Sequence, residues 1–122
     1  MARILLVEDD FDVRQVMEHV LIDGGHRVDK ADAAPVAKDL LTSRHYDLVL
    51  ADGRLVNGTG MELADQAVKA GTAVLIVTGY AFDLPKDELK RFEYLLKPVS
   101  QNELLQAVER ALHSDMRSRP AP

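Results

Sequence analysis

The chain contains no cysteine and no tryptophan. Without thiols, disulfide frameworks, thiol nucleophiles and Cys-based zinc sites are excluded. Aromatic residues make up only 5% of a chain that is 47% hydrophobic, so the core must be filled by Val, Leu and Ala. Basic residues are also scarce: 15 Lys and Arg face 20 Asp and Glu, for a net charge of −5. That balance leaves no basic stripe to neutralise phosphates, so no direct nucleic-acid contact is expected. Long apolar runs are missing as well. Met1-Ala2-Arg3 leads directly into Ile4-Leu5-Leu6-Val7, too short for a signal peptide or for a membrane span of about 20 apolar residues. A soluble, cytoplasmic protein with no membrane segment is the expectation. The 122 residues predict one domain with a single core.

What is present is a regular alternation. Ile4 to Val7 is a continuous apolar run, as in a strand buried on both faces of a parallel sheet. It ends in Glu8-Asp9-Asp10. Val13, Val16, Met17, Val20 and Leu21 then recur at helical spacing until Gly24-Gly25. His26 to Lys30 predicts a more exposed second strand. Asp32 is the expected cap of the next helix, with Pro35 in its first turn and Ala33, Val36, Ala37, Leu40 and Leu41 as its apolar stripe. Leu48 to Ala51 is the third strand, and a helix from about Gly60 to Ala70 follows, closed by Gly71. Ala73 to Val77 is the fourth strand and stops at Thr78-Gly79. Tyr80 to Arg91 is the least regular stretch. Phe92 to Leu96 is the fifth strand, ending in Lys97-Pro98. Ser100-Gln101-Asn102-Glu103 is a capping box; it opens a last helix that turns Leu104, Leu105, Val108, Ala111 and Leu112 to one side. From Ser114 on, Arg, Ser and Pro dominate without periodicity, as in a loose tail.

Five strands alternating with helices predict an α/β parallel sheet covered on both faces. All carboxyl ends of such a sheet open on one edge, where α/β folds place their ligands. The first strand ends at Glu8-Asp9, the third at Asp52, the fourth at Thr78 and the fifth at Lys97. Each has an ordinary alternative. Glu8-Asp9-Asp10 suits an acidic helix start, Asp52 a turn or cap, Thr78 a plain β-branched strand end, and Lys97 a surface lysine before Pro98. Taken together they suit phosphoryl transfer. Clustered carboxylates repel unless a cation sits among them, and Mg²⁺ prefers hard oxygen ligands. Lys97 can hold a phosphoryl oxygen as a point charge, Thr78 can donate to one, and Asp52 can act as nucleophile through an aspartyl phosphate. The histidines His19, His26, His45 and His113 show no metal-ligand spacing; surface or helix-end positions account for them.

Ile4-Leu5-Leu6-Val7-Glu8-Asp9-Asp10, Asp52 with Gly60 eight residues on, Val77-Thr78-Gly79 and Tyr94-Leu95-Leu96-Lys97-Pro98 resemble the receiver domain of bacterial two-component response regulators, of the chemotaxis-regulator type. The match runs from Arg3 to about His113, so residues 1–113 are expected to form the receiver and 114–122 a flexible tail. The resemblance implies a flavodoxin-like (βα)5 doubly wound sheet of five parallel strands in the order 2-1-3-4-5. It implies that Asp52 accepts a phosphoryl group from a histidine kinase or phosphotransfer protein. Asp9 and Asp52 would ligate Mg²⁺, with Glu8 helping through water and the Arg54 carbonyl as a further ligand; Thr78 and Lys97 would bind phosphoryl oxygens. Asp10 reads as a bystander. A switch is implied too: Thr78 moves towards the phosphate and Tyr94, otherwise a half-buried strand aromatic, fills the space.

The sequence departs from the family in several places. Val56 stands where Pro is usual, Lys90-Arg91 replaces a Gly-Ala pair, and Thr78 and Lys97 lie 19 positions apart, a few fewer than is common. The fourth helix, between strands four and five, is therefore expected to be short, displaced or disordered, which puts the usual dimer face and output surface in doubt. Arg54 and Tyr80 occupy the positions that tune phosphate lifetime in the family, and their bulk implies slow hydrolysis. With no effector domain after His113, the expected output is contact with a downstream protein, with a weak homodimer as a further expected partner. A stand-alone regulator, a phosphorelay intermediate and a receiver cut from a hybrid kinase all fit. Two other functions remain open: a pseudo-receiver that binds proteins without phosphorylation, and a Mg²⁺-dependent phosphohydrolase. Against the latter, Arg54 stands where such enzymes carry a second acid.

Overall fold

The computed structural model describes residues 2–52, 59–78, 93–96 and 99–113. Five strands, β1 (Arg3–Val7), β2 (Arg27–Ala31), β3 (Leu48–Asp52), β4 (Ala73–Thr78) and β5 (Glu93–Leu96), form one sheet in the order β2-β1-β3-β4-β5. Every pairing is parallel. The described helices are α1 (Phe11–Asp23), α2 (Ala34–Ser43), α3 (Thr59–Lys69) and α4 (Gln101–His113). This is the expected doubly wound architecture. The expected helix within residues 80–91, the loop at Val56, and the tail 114–122 lie outside the described residues.

Alternation along the strands divides the core into two layers. Ile4, Leu6, Leu48, Leu50, Leu75 and Val77 face Met17, Val20 and Leu21 of α1 and Leu104, Ala107, Val108 and Ala111 of α4. Leu5, Val7, Val49, Ala51, Val74 and Ile76 face Ala37 and Leu41 of α2 and Leu63, Ala64 and Ala67 of α3. Burial on both sides explains why β1, β3 and β4 are unbroken apolar runs, whereas the edge strand β2 is only partly buried.

Two glycines turn helices into strands. Gly25 (φ 91°) and Gly71 (φ 79°) adopt left-handed backbone. At the first, the amides of Gly25 and His26 donate to the carbonyls of Ile22 and Leu21 at 2.9 and 3.1 Å; at the second, those of Gly71 and Thr72 donate to Val68 and Ala67, both at 2.9 Å. Both are Schellman closures, in which only glycine enters the αL position without strain. The capping box forms as expected: Ser100 N–H donates to Glu103 Oε1 at 3.0 Å, and Glu103 N–H to Ser100 Oγ at 3.1 Å.

Three local expectations are corrected. Asp32 does not cap α2: the N-cap is Ala33, with no side-chain hydrogen bond. Pro35 in the first turn has no N–H, which removes a donor that a capping side chain would engage. Val16 is 63% and Val36 is 42% exposed, because each lies at or beyond the margin of the helical arc that meets the sheet. The second strand starts at Arg27, since His26 belongs to the closure of α1.

Candidate functional site

The register aligns the strand ends expected to carry the chemistry. Val7 pairs with Ala51, so Glu8 follows directly beside Asp52, the last residue of β3. Asp52 pairs with Val77, and Thr78, the last residue of β4, pairs with Leu96. Lys97 is the next residue in the sequence after Leu96. Asp52 and Thr78 are described here by their backbone; Arg54 and Lys97 lie outside the described residues.

The acid loop after β1 is tightly held. Glu8 is buried, 1% exposed, although it is a carboxylate. Its N–H donates to the Ala31 carbonyl at 3.0 Å, and its Oε2 accepts from Asp10 N–H at 3.2 Å. Asp9 is exposed. Asp10 is the N-cap of α1, its Oδ1 accepting from Val13 N–H at 3.1 Å. A structural role thus accounts for the third acid. Arg14, one turn into α1, donates from Nη1 to the Glu8 carbonyl at 2.8 Å, and its guanidinium lies over the Phe11 ring at 5.5 Å. Tyr94 on β5 pairs with Ile76 and is 41% exposed.

Arrangement and sequence converge on one family. The family model described as the response regulator receiver domain matches residues 4–109. The chain is a response regulator receiver domain. Among similar proteins, the alginate biosynthesis transcriptional regulatory protein AlgB of Pseudomonas aeruginosa is 36% identical over 116 residues, covering 91% of this receiver but 26% of AlgB. The receiver thus spans about a quarter of that relative. The response regulator receiver protein CpdR of Brucella abortus is 30% identical over 121 residues, covering 92% of this chain and 98% of CpdR. Among solved structures, the response regulator TrrA of Thermotoga maritima in complex with Mg²⁺-BeF superposes with a TM-score of 0.81 at 27% identity, covering 92% of this receiver and 100% of that chain. Receiver domains are signalling domains rather than conventional enzymes, and they interact with histidine kinases and downstream effectors.

Glu8 and Asp9 bring hard carboxylate oxygens, the donor type Mg²⁺ prefers, to the loop after β1. Among the described residues, no three His, Cys, Asp or Glu side chains gather as ligands. Among the described residues, no helix is long and apolar enough to cross a membrane.

Several residues escaped sequence reasoning. His26, expected at the surface or a helix end, is 8% exposed; its Nδ1 accepts from Ala2 N–H at 3.1 Å, and its Nε2 lies 3.8 Å from Glu109 Oε1. Tyr46 is 1% exposed and bonds Asp29. Arg14 carried one usable signal, a basic residue one helical turn after an acid cluster.

Proposed function

We propose that this receiver takes a phosphoryl group from a phosphohistidine of a histidine kinase or phosphotransfer protein onto Asp52, and so switches a protein-binding surface. The observation that carries the reading is the ladder register, which lines up Glu8, Asp52 and Thr78 at one edge of the sheet with Leu96, the residue before Lys97.

In this reading an oxygen of the Asp52 carboxylate attacks phosphorus in line, and the phosphorus–nitrogen bond to the donor imidazole breaks with its electron pair going to nitrogen. An acyl phosphate forms. Lys97 sets a point charge against the phosphoryl oxygens, and the Thr78 hydroxyl donates to one of them. Asp9, Asp52 and the Arg54 carbonyl would hold Mg²⁺, with Glu8 helping through water, and the ion would supply neutralisation of charge on the transferring group. Water later attacks the same phosphorus and restores the carboxylate with release of phosphate; Arg54 and Tyr80 slow that step by shielding it. The new charge of about −1.5 to −2 draws Thr78 and Lys97 inward, and Tyr94 moves into the space that Thr78 leaves. Phe11, 58% exposed and next in the chain after the acid loop, offers the donor protein an apolar contact there. Cytoplasmic location, a downstream protein partner and weak self-association belong to the same proposal.

The test is intact mass after incubation with Mg²⁺ and acetyl phosphate. One phosphoryl adduct is expected on the wild type, none on Asp52→Asn and none with chelator. An adduct that persists in Asp52→Asn overturns the assignment. No adduct from acetyl phosphate or from a phosphorylated kinase favours a phosphorylation-independent binding module.

A further inference from the structure

We propose that Arg14 is a positioning residue for the acid loop, fixing the Glu8 peptide so that the Glu8 and Asp9 carboxylates are set before a cation binds. The proposal rests on the reading of this edge as a Mg²⁺-dependent phosphoacceptor site.

Glu8 stands one residue beyond β1. Its N–H is tied to β2 through the Ala31 carbonyl at 3.0 Å, and its carbonyl is tied to α1 through Arg14 Nη1 at 2.8 Å. The peptide is thereby clamped from both sides. The clamp extends through the loop: Glu8 Oε2 accepts from Asp10 N–H at 3.2 Å, and the Asp10 carbonyl accepts from Arg14 N–H at 2.9 Å. Arg14 itself is steadied by the Phe11 ring, 5.5 Å from its guanidinium carbon. Among the described residues it forms no ion pair with a carboxylate. Its guanidinium is spent on backbone, where a planar donor holds direction as well as distance.

The sign of one effect separates positioning from charge. A cationic side chain beside metal-binding acids opposes a divalent cation, so removing it would tighten Mg²⁺ binding if charge were its only role. Loss of a group that orients the ligands weakens binding, commonly by roughly tenfold or more.

Mg²⁺ alone is titrated into the whole chain by calorimetry, with hydrogen exchange at the Asp10 amide followed by NMR. Arg14→Ala is expected to raise the Mg²⁺ Kd by roughly tenfold and to speed Asp10 exchange. Arg14→Lys, which keeps the charge without the planar donor, is expected to fall between. An unchanged or lower Kd overturns the proposal, as does a drop in Tm with normal Kd and normal Asp10 exchange. Asp9→Asn, run in parallel, reports on the parent reading. If wild type shows no saturable binding, or Asp9→Asn binds equally well, the metal edge itself is wrong, whatever Arg14 does to the Asp10 amide.

Discussion

The Tyr46 hydroxyl donates a 2.6 Å hydrogen bond to Asp29 Oδ2, the same oxygen that accepts from Arg44 Nη1 at 3.0 Å. Tyr46 precedes β3 and is 1% exposed, while Asp29 lies on β2, two strands away, so the bond ties the edge of the sheet to its centre. A buried phenol needs such a partner. Burial, and then the Asp29 carboxylate, push the Tyr46 hydroxyl up to about 12. The Tyr46 hydrogen bond, and then Arg44, hold Asp29 below its ordinary value against the opposing effect of burial.

Tyr46→Phe keeps the ring and removes the donor. Because the acceptor is charged, we expect a loss of about 1.5–2 kcal/mol in urea unfolding. Combined with Asp29→Asn, the two losses should be markedly less than additive. Full additivity would mean that the bond contributes nothing in solution.

The same pair predicts how stability follows pH. Asp29 is depressed in the folded state, so its contribution is fully present above its ordinary value of 3.8 and is lost as pH falls through the lower folded value. The stability gap between wild type and Tyr46→Phe should therefore hold from neutral pH down to about pH 5 and narrow below it. Tyr46 is raised, so its contribution is fully present below its ordinary value of 10.0 and is lost as pH rises towards about 12. Unfolding series at both extremes check the two signs.

Asp10 caps α1, whereas the proposed function gives its neighbour Asp9 a role in holding Mg²⁺, so the two are separable by mutation. Asp10→Ala removes the cap bond to Val13 N–H and should cost about 1 kcal/mol while phosphoryl uptake from acetyl phosphate continues. Asp10→Asn should preserve both. Asp9→Asn should do the reverse of Asp10→Ala, sparing Tm and abolishing Mg²⁺-dependent uptake. Thermal melts and intact mass on the three variants decide it.

Gly25→Ala places a Cβ on a backbone with φ of 91°, and a loss of about 1 kcal/mol is expected. Its surroundings are open, with nothing within 4 Å of an added Cβ, so the loss reports the backbone conformation alone. Removing the cap with Ser100→Ala should cost a similar amount, about 1 kcal/mol. An unchanged Tm in either variant would refute the corresponding argument.

The sequence by itself determined the sheet and which strand ends share an edge. Unbroken apolar runs imply buried parallel strands, and parallel strands must open their carboxyl ends together, so Glu8, Asp52 and Thr78 could be assigned to one edge before any coordinates. The helix ends at Gly25 and Gly71 and the box at Ser100 and Glu103 were legible for a related reason: their bonds close within one turn of chain. Tertiary structure alone decided what depends on distant partners. Tyr46 meets Asp29 across 17 positions, and Ala2 meets His26 across 24. Val16 and Val36 have the composition of a core face, but only the position of the sheet shows that they lie outside it. Local bonding chemistry is written into neighbouring residues, whereas burial and long-range pairing exist only once the layers have packed.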